Sequence, residues 1–210
     1  MATDDQSADR PQIYLITPHS FDPAAFAPQL AQVLDGTEIA CLRMALAGDD
    51  EDSLARAADA CREVAHARDV PLVIDRHIQL VERLGLDGVH LPDGARSIRA
   101  ARKALGADAI LGSFCGASRH DGMNAGEAGS DYVSFGPVGE SSLGDGTIAE
   151  AELFAWWSQM IELPVVAEGA LDVELVAALA PVTDFFAVGP EIWGQDDPLA
   201  ALRTLLAPLG

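Results

Sequence analysis

The sequence predicts a (β/α)8 barrel of parallel strands, and three observations lead to this fold class. Short apolar runs occur eight times along the chain, their hydrophobicity is continuous rather than alternating, and a helical stretch follows each of them. Continuous hydrophobicity is typical of parallel strands that are covered on both faces. A doubly wound open sheet would produce the same local patterns, and the count of eight units favours the closed barrel.

Each unit can be located in the sequence. The predicted strands are QIYLIT (12–17), TEIACLRM (37–44), PLVID (71–75), DGVHL (87–91), DAILGSF (108–114), DYVSFG (131–136), LPVVAEG (163–169) and TDFFAVG (183–189). Apolar residues at helical spacing predict helices at 24–34, 52–67, 77–85, 97–106, 151–161, 173–180 and 198–209. The segment 118–129 contains glycines that disfavour a helix, but it occupies the position of the fifth one.

Length and composition set the context of this fold. The 210 residues, 49% of them hydrophobic, are enough for one barrel domain at 11–210, preceded by a disordered tail at 1–10. No apolar run approaches the roughly 20 residues that cross a bilayer, and the N-terminal residues lack the pattern of a signal peptide. Cys41, Cys61 and Cys115 form no C-x-x-C pair, which favours free thiols and a cytoplasmic protein.

The charge of the chain excludes several function classes. A net charge of −20 repels nucleic acids and anionic membranes, so neither is an expected partner of this acidic protein. The chain has a single lysine, Lys103, in a stretch with the pattern of a surface helix. A Schiff-base mechanism needs a desolvated lysine, and we therefore do not expect one here.

In a barrel of this kind, functional residues lie in the loops after the C-terminal ends of the strands. Gly169 and Gly189 end the last two predicted strands, where backbone N–H groups commonly bind a phosphate. Tight turns alone would also explain these two glycines. His90 ends the fourth strand, where it could be an acid, a base or a hydrogen-bonded core residue.

Four segments resemble one known family. They are LGLDGVHLPDGARSIRAARKALGADAILG (84–112), AGEAGSDYVSFGPV (125–138), LPVVAEGAL (163–171) and DFFAVGPEIW (184–193). Their residues and spacing are similar to those of the thiamine phosphate synthases and their thiazole tautomerase relatives, which are (β/α)8 barrels. The resemblance implies a transferase of thiamine biosynthesis that joins a pyrimidine diphosphate to a thiazole phosphate and releases pyrophosphate with the aid of Mg²⁺.

The strand ends and the positions that align with the family's site together supply the candidate residues. We expect catalytic roles for Arg43, Asp75, His90, Cys115 and Glu168, substrate or phosphate binding by Gly136, Ser141, Ser142, Gly169, Ala170 and Gly189, and Mg²⁺ binding by Asp75 and Asp93.

The chain departs from the family pattern at several of these positions. Arg43 keeps the family arginine of the second strand, but Cys41 and Ala45 replace a glutamine and a lysine. An Asn-Asp pair becomes Asp75-Arg76, a Ser-Thr-His becomes Phe114-Cys115-Gly116, and a Thr-Lys becomes Ser141-Ser142. A second metal-binding Asp falls on Ala95, and a serine falls on Pro190. We therefore expect a weakened diphosphate and Mg²⁺ site and weak synthase activity.

Three hypotheses follow from this pattern. The chain acts in thiamine metabolism on a small phosphate, it catalyses a different reaction on the same fold, or it binds a ligand without turnover. In each case the expected partner is a small-molecule phosphate. One residue of the pair Trp156-Trp157 is expected to pack on the sheet, and the other could mark a homo-oligomer contact.

Overall fold

The computed structural model of the protein describes residues 10–48 and 50–210 and contains a closed barrel. Eight parallel strands are arranged in sequence order, with β8 paired to β1. They are β1 (Gln12–Ile16), β2 (Cys41–Met44), β3 (Leu72–Asp75), β4 (Gly88–Leu91), β5 (Ile110–Phe114), β6 (Tyr132–Phe135), β7 (Val165–Glu168) and β8 (Phe185–Val188). The predicted (β/α)8 barrel is confirmed, and the open-sheet alternative is wrong. Residues 1–9 of the predicted tail lie outside the described residues.

Helices follow every strand. They are α1 (Pro23–Gly36), α2 (Glu51–His66), α3 (Ile78–Leu84), α4 (Ile98–Leu105), α5 (Arg119–Ala128), α6 (Ala151–Met160), α7 (Val173–Leu179), α8 (Pro190–Trp193) and α9 (Pro198–Leu205), with 3-10 turns at Ala180–Val182 and Ala207–Leu209. Aspartates cap α1, α2, α7 and α9 by accepting a backbone hydrogen bond in the first turn. Among the described helices, none has the length and apolar character needed to cross a membrane.

Helix α5 forms despite its glycines because local contacts favour it. The hydroxyl of Ser118 accepts a hydrogen bond from the N–H of Asp121 and caps the helix. A Cβ atom at Gly122 would lie 2.7 Å from the ring of Phe135, so this glycine allows the helix to pack closely on the barrel. Trp157 is buried with its ring edge-on to Phe135, as expected for one of the two tryptophans, and Arg119 stacks on Trp156. A subunit contact at Trp156 stays a prediction.

A repeated aspartate holds the starts of three of the four even-numbered strands, β4, β6 and β8. Asp87, Asp131 and Asp184 lie just before β4, β6 and β8, and each bonds to a residue of the preceding strand. The carboxylate accepts the N–H of Leu72, Leu111 or Val165, at 2.6, 2.7 and 2.8 Å, and the aspartate N–H donates to the carbonyl of the same residue. These charge-assisted bonds join the aspartate carboxylates to backbone N–H groups at the N-terminal end of the barrel.

The interior of the barrel changes character along its axis. A layer of mostly apolar side chains and two tyrosines fills the middle: Tyr14, Cys41, Val73, Tyr132, Val166 and Ala187. Toward the C-terminal ends of the strands the buried side chains become polar or charged, and they include Arg43, His90, Ser134 and Glu168. The fold therefore concentrates buried charge at the end where barrels of this class place their chemistry.

A substitution at Gly136 tests how closely the end of β6 packs against β7. A Cβ atom at this position would lie 2.2 Å from the backbone oxygen of Glu168, which cannot move without distorting β7. We expect Gly136→Ala to lower the free energy of unfolding by about 1–3 kcal/mol, as overpacking does in other cores. Urea denaturation provides the measurement.

Gly194→Ala is the matched control for this substitution. Gly194 has φ −85°, which suits any residue, and its Cβ would meet no atom within 4 Å. We expect its stability to stay within about 0.5 kcal/mol of the wild-type value. Equal stabilities of the two variants would contradict the packing argument.

Candidate functional site

Three charged side chains meet at the C-terminal end of the barrel. Arg43 on β2 donates from Nη1 to Oε2 of Glu168 at the end of β7, at 2.8 Å. The Nε atom of Arg43 lies 3.3 Å from Oδ1 of Asp75 at the end of β3. The side chains of Arg43 and Glu168 are 8% and 2% exposed, whereas that of Asp75 is 29% exposed. Asp75 is therefore the member of this charged triad that a ligand reaches most easily.

Burial and charge act against each other in the triad. Burial alone would lower the pKa of Arg43, but the nearby charges of Glu168 and Asp75 raise it above its ordinary value. The pKa of Glu168 is raised because burial disfavours its charged form more than Arg43 stabilises it. The pKa of Asp75 is raised for the same reason. The arginine thus stays charged, and two carboxylates compensate its charge.

A chain of buried hydrogen bonds lies beneath the triad. The hydroxyl oxygens of Tyr14 and Tyr132 are 2.6 Å apart, and Nδ1 of His90 lies 3.0 Å from the Tyr132 oxygen. Burial and the charge of Arg43 lower the pKa of His90 well below its ordinary value, so its ring is neutral. Its Nε2 atom is buried without a hydrogen-bond partner among the described residues. His90 therefore has one ring nitrogen fixed by Tyr132 and one buried nitrogen whose hydrogen-bonding capacity is unused by the described residues.

An open cleft of about 670 Å³ lies between the loops that follow β4, β5 and β6. Its lining includes Asp93 and Cys115 but neither Arg43 nor Glu168. Asp93 accepts a hydrogen bond from the hydroxyl of Ser97 at 2.6 Å. Burial raises the pKa of the Cys115 thiol to about 12. A thiol with this pKa is a poor nucleophile at neutral pH, because almost none of it is ionised.

The loop between β6 and α6 begins at the cis peptide bond Gly136-Pro137 and turns over the barrel end. The N–H groups of Val138 and Gly139 donate to the carbonyl of Gly169 at 3.1 Å, which joins this loop to the end of β7. Ser141 and Ser142 are exposed at its tip, and the Ser141 hydroxyl accepts a bond from the N–H of Leu143. The two serines therefore lie at the surface of the loop, away from the charged triad.

The loops after β7 and β8 form a corner, defined here as residues 169–171 and 189–191. Gly169 and Ala170 adopt left-handed backbone conformations, with φ of 90° and 56°. The N–H of Gly189 donates to Oε2 of Glu191 at 2.9 Å, and the N–H of Leu171 donates to Oε1 of the same residue at 3.2 Å. A carboxylate of the protein therefore accepts hydrogen bonds from both loops of the β7–β8 corner.

The two predicted Mg²⁺ ligands, Asp75 and Asp93, have different neighbours in the structure. Among residues 10–48 and 50–210, no group of three or more His, Cys, Asp or Glu side chains has an arrangement that could hold a metal ion. Asp75 faces Arg43, Asp93 bonds to Ser97 in the separate cleft, and the exposed Arg76 follows Asp75. The described residues therefore contain no complete set of protein ligands for a metal ion. Mg²⁺ binding by Asp75 and Asp93 stays a prediction, because this ion is usually held by one or two carboxylates together with waters and substrate phosphates.

The structure thus divides the predicted site residues into groups. Arg43 contacts both Asp75 and Glu168, His90 pairs in register with Asp75, and Cys115 and Asp93 line the cleft. Gly169, Ala170 and Gly189 form the β7–β8 corner. The sequence analysis missed Tyr14 and Tyr132, which read as ordinary strand residues, and Glu191. The position of Glu191 two residues after Gly189 was the available signal.

Comparison with known proteins yields one family. Residues 13–190 match the family model described as thiamine monophosphate synthase. A thiamine-phosphate synthase of Rhodospirillum centenum is 41% identical over 196 residues, which cover 91% of this chain and 94% of the relative. A thiamine-phosphate synthase of Erythrobacter litoralis is 37% identical, with 90% and 91% covered. Both alignments extend over almost the entire barrel.

A solved structure shares the fold. Thiamine phosphate pyrophosphorylase from Pyrococcus furiosus superposes with a TM-score of 0.82 at 20% sequence identity, covering 94% of this chain and 95% of that one. At this identity the likeness shows the architecture alone.

The raised pKa of Glu168 predicts how stability depends on pH. The folded protein binds the Glu168 proton more tightly than the unfolded chain does, so stability is lost as the pH rises from the ordinary value of 4.5 through the folded pKa. We expect the stability advantage of wild type over Glu168→Gln to shrink as the pH rises from 4.5 through the raised pKa of the folded protein. Urea denaturation across this range measures it.

Glu174→Gln on the exposed surface of α7 is the control and should follow the wild-type pH profile. An advantage of the wild type that grows with pH would show that the attraction of Arg43 outweighs the burial of Glu168.

Proposed function

Because this chain belongs to the thiamine monophosphate synthase family, we propose that it catalyses the coupling step of thiamine biosynthesis. The thiazole nitrogen of a thiazole phosphate bonds to the methylene carbon of a pyrimidine, the bond from that carbon to the diphosphate oxygen breaks, and thiamine phosphate and pyrophosphate leave. The observation that carries this proposal is the 41% identity to a thiamine-phosphate synthase over 91% of the chain. The free, buried thiols suit a cytoplasmic setting, which is part of the proposal.

The carboxylates of the charged triad can stabilise the positive charge that develops on the pyrimidine in this reaction. As the diphosphate departs, positive charge develops on the pyrimidine carbon, and the product contains a permanently cationic thiazolium ring. Carboxylates at the barrel mouth stabilise such charge in a site with little water. Asp75 is the most accessible member of the triad, with its side chain 29% exposed, while its buried Oδ1 atom lies 3.3 Å from Nε of Arg43. We assign Asp75 the contact with the cationic side of the transition state.

The diphosphate side of the reaction has fewer charges to support it. Arg43 is the buried cation of the mouth, and two carboxylates already compensate it. Its buried Nε atom lies 3.3 Å from Oδ1 of Asp75 without hydrogen-bond geometry, so a ligand oxygen would have to displace Asp75 to reach this N–H. Lys103 is exposed on α4. We assign Arg43 the contact with the departing diphosphate. We expect turnover to be slow, because this one arginine is already paired with two carboxylates and the lysines of the family pattern are replaced by Ala45 and Ser142.

His90 contributes a neutral hydrogen-bonding group. Its Nδ1 atom is held by Tyr132, and its Nε2 atom is available. When the Tyr132 hydroxyl donates to Nδ1, Nε2 carries the proton and can donate to an acceptor atom of the substrate. We assign His90 the orientation of a heterocycle, not proton transfer. No step of the proposal is assigned to Mg²⁺, because the described residues contain no group of three or more ligands that could hold a metal ion.

Formation of thiamine phosphate from the two substrates tests the proposal. We expect slow product formation by the wild type, and a further loss of about 100-fold or more in Arg43→Met, which removes the cation from the diphosphate. Arg83→Ala is the matched control, because Arg83 is an exposed arginine that pairs with Glu51 on the surface. Its rate should equal that of the wild type.

Arg43→Met leaves Glu168 buried without a partner, which could unfold the barrel. Arg43→Lys keeps the positive charge but loses the planar guanidinium group, and we expect its rate to lie between those of the wild type and Arg43→Met. Circular dichroism of each variant confirms folding. The proposal is wrong if the folded wild type forms no product, or if product formation is fast and unaffected by both Arg43 substitutions.

A further inference from the structure

The β7–β8 corner is the place where barrels of this architecture commonly bind a phosphate through backbone N–H groups. Here two of those groups already have an acceptor. Gly189 N–H bonds to Oε2 of Glu191 and Leu171 N–H bonds to Oε1, so the two carboxylate oxygens serve different loops. This bidentate arrangement is the one expected of a bound anion, and the anion is part of the chain.

The local sequence explains how Glu191 reaches this position. Gly189 approaches β1 closely, since a Cβ atom there would lie 2.7 Å from the backbone oxygen of Ile16. Pro190 then begins the four-residue helix α8, and Glu191 follows it. Ile192 is fully buried, and the Trp193 ring N–H donates to the Ile16 carbonyl at 2.6 Å. These two contacts hold α8 against the barrel. The Glu191 side chain is held back over the corner and remains partly accessible to solvent.

We propose that Glu191 is an internal substitute for a phosphate and the residue that sets specificity at the β7–β8 corner. A phosphate monoester and the Glu191 carboxylate cannot accept the same two hydrogen bonds, and two negative charges so close together repel each other. A phosphate ligand must therefore displace Glu191 before it binds. This inference rests on the proposed function in one respect, because the ligand concerned is the thiazole phosphate of the coupling reaction.

The proposal makes a specific statement about substrate class. An uncharged thiazole alcohol has no phosphate to place in the corner, and its hydroxyl can donate to a carboxylate oxygen of Glu191. The wild type should thus discriminate little between the alcohol and its phosphate ester. Without Glu191 the two backbone N–H groups become available, and the phosphate ester should be strongly preferred.

Calorimetric titration with inorganic phosphate and with thiazole phosphate tests the proposal in the full chain. We expect Glu191→Ala to bind both anions at least about tenfold more tightly than the wild type, because charge-assisted bonds to the freed N–H groups replace a repulsive carboxylate. Glu191→Gln should fall between them, since its amide oxygen can still accept one bond. Affinity for the thiazole alcohol should not rise in either variant.

Glu174→Ala is the matched control, because it removes the same charge from an exposed position on α7 outside the corner. It should bind phosphate as the wild type does. Unchanged or weaker phosphate binding by Glu191→Ala and Glu191→Gln would overturn the proposal and leave Glu191 as a structural cap. If Glu191→Ala fails to fold, Glu191→Gln decides the question alone.

The binding data separate this inference from the coupling activity. Tighter phosphate binding in the Glu191 variants, without product formation by any variant, supports the role of Glu191 and rejects the proposed function. If product forms but phosphate binding does not depend on Glu191, the proposed function is supported and the role of Glu191 is rejected. With both present, the KM for thiazole phosphate should fall in Glu191→Gln while the KM for the pyrimidine substrate stays the same.

Discussion

The ion pair between Arg43 and Glu168 is the interaction on which the arrangement of charged side chains at the barrel mouth depends. Taking an arginine and a glutamate out of water costs several kcal/mol per ion, and their attraction offsets this cost only when the geometry is good. The 2.8 Å contact and the nearby carboxylate of Asp75 supply that geometry. The same contacts that let Arg43 be buried also reduce the positive charge it presents to a ligand. Stability of the barrel mouth and affinity for anions are therefore opposed.

Carboxylates replace external anions elsewhere in the protein as well. With 33 acidic and 13 basic side chains, the chain has few cations to spare for ligand binding. Aspartates cap four helices and fix the starts of three strands, where they accept backbone N–H groups. Glu191 does the same at the β7–β8 corner. The acidic composition is thus partly structural, and it leaves the mouth better suited to a cationic heterocycle than to a diphosphate.

Most of the fold could be predicted from local sequence patterns, because each strand of a parallel barrel is a continuous apolar run. All eight observed strands lie within the predicted segments. Helix α8 was missed, since a four-residue helix has no periodicity to detect. Helix α5 looked weak because the cost of glycine is visible in the sequence, whereas the close packing of Gly122 on Phe135 is not.

The site was predictable in part for a similar reason. Ends of parallel strands share one face of a barrel, so Arg43, Asp75, His90 and Glu168 could be assigned to the same end. Which of them touch depends on register and side-chain direction across several strands. The pairing of Arg43 with Glu168 joins residues 125 positions apart, and the contact of His90 with Tyr132 spans 42. No spacing rule within a single element contains that information.

The central claim is that Glu168 and Asp75 hold Arg43 back from anionic ligands. Calorimetric titration of pyrophosphate into the wild type and into Glu168→Gln, each with and without Mg²⁺, tests it most directly. We predict weak binding by the wild type and binding about tenfold tighter in Glu168→Gln, because one compensating carboxylate has gone and Arg43 can turn to the ligand. Tight binding by the wild type, or equal affinity in the two proteins, would contradict the claim.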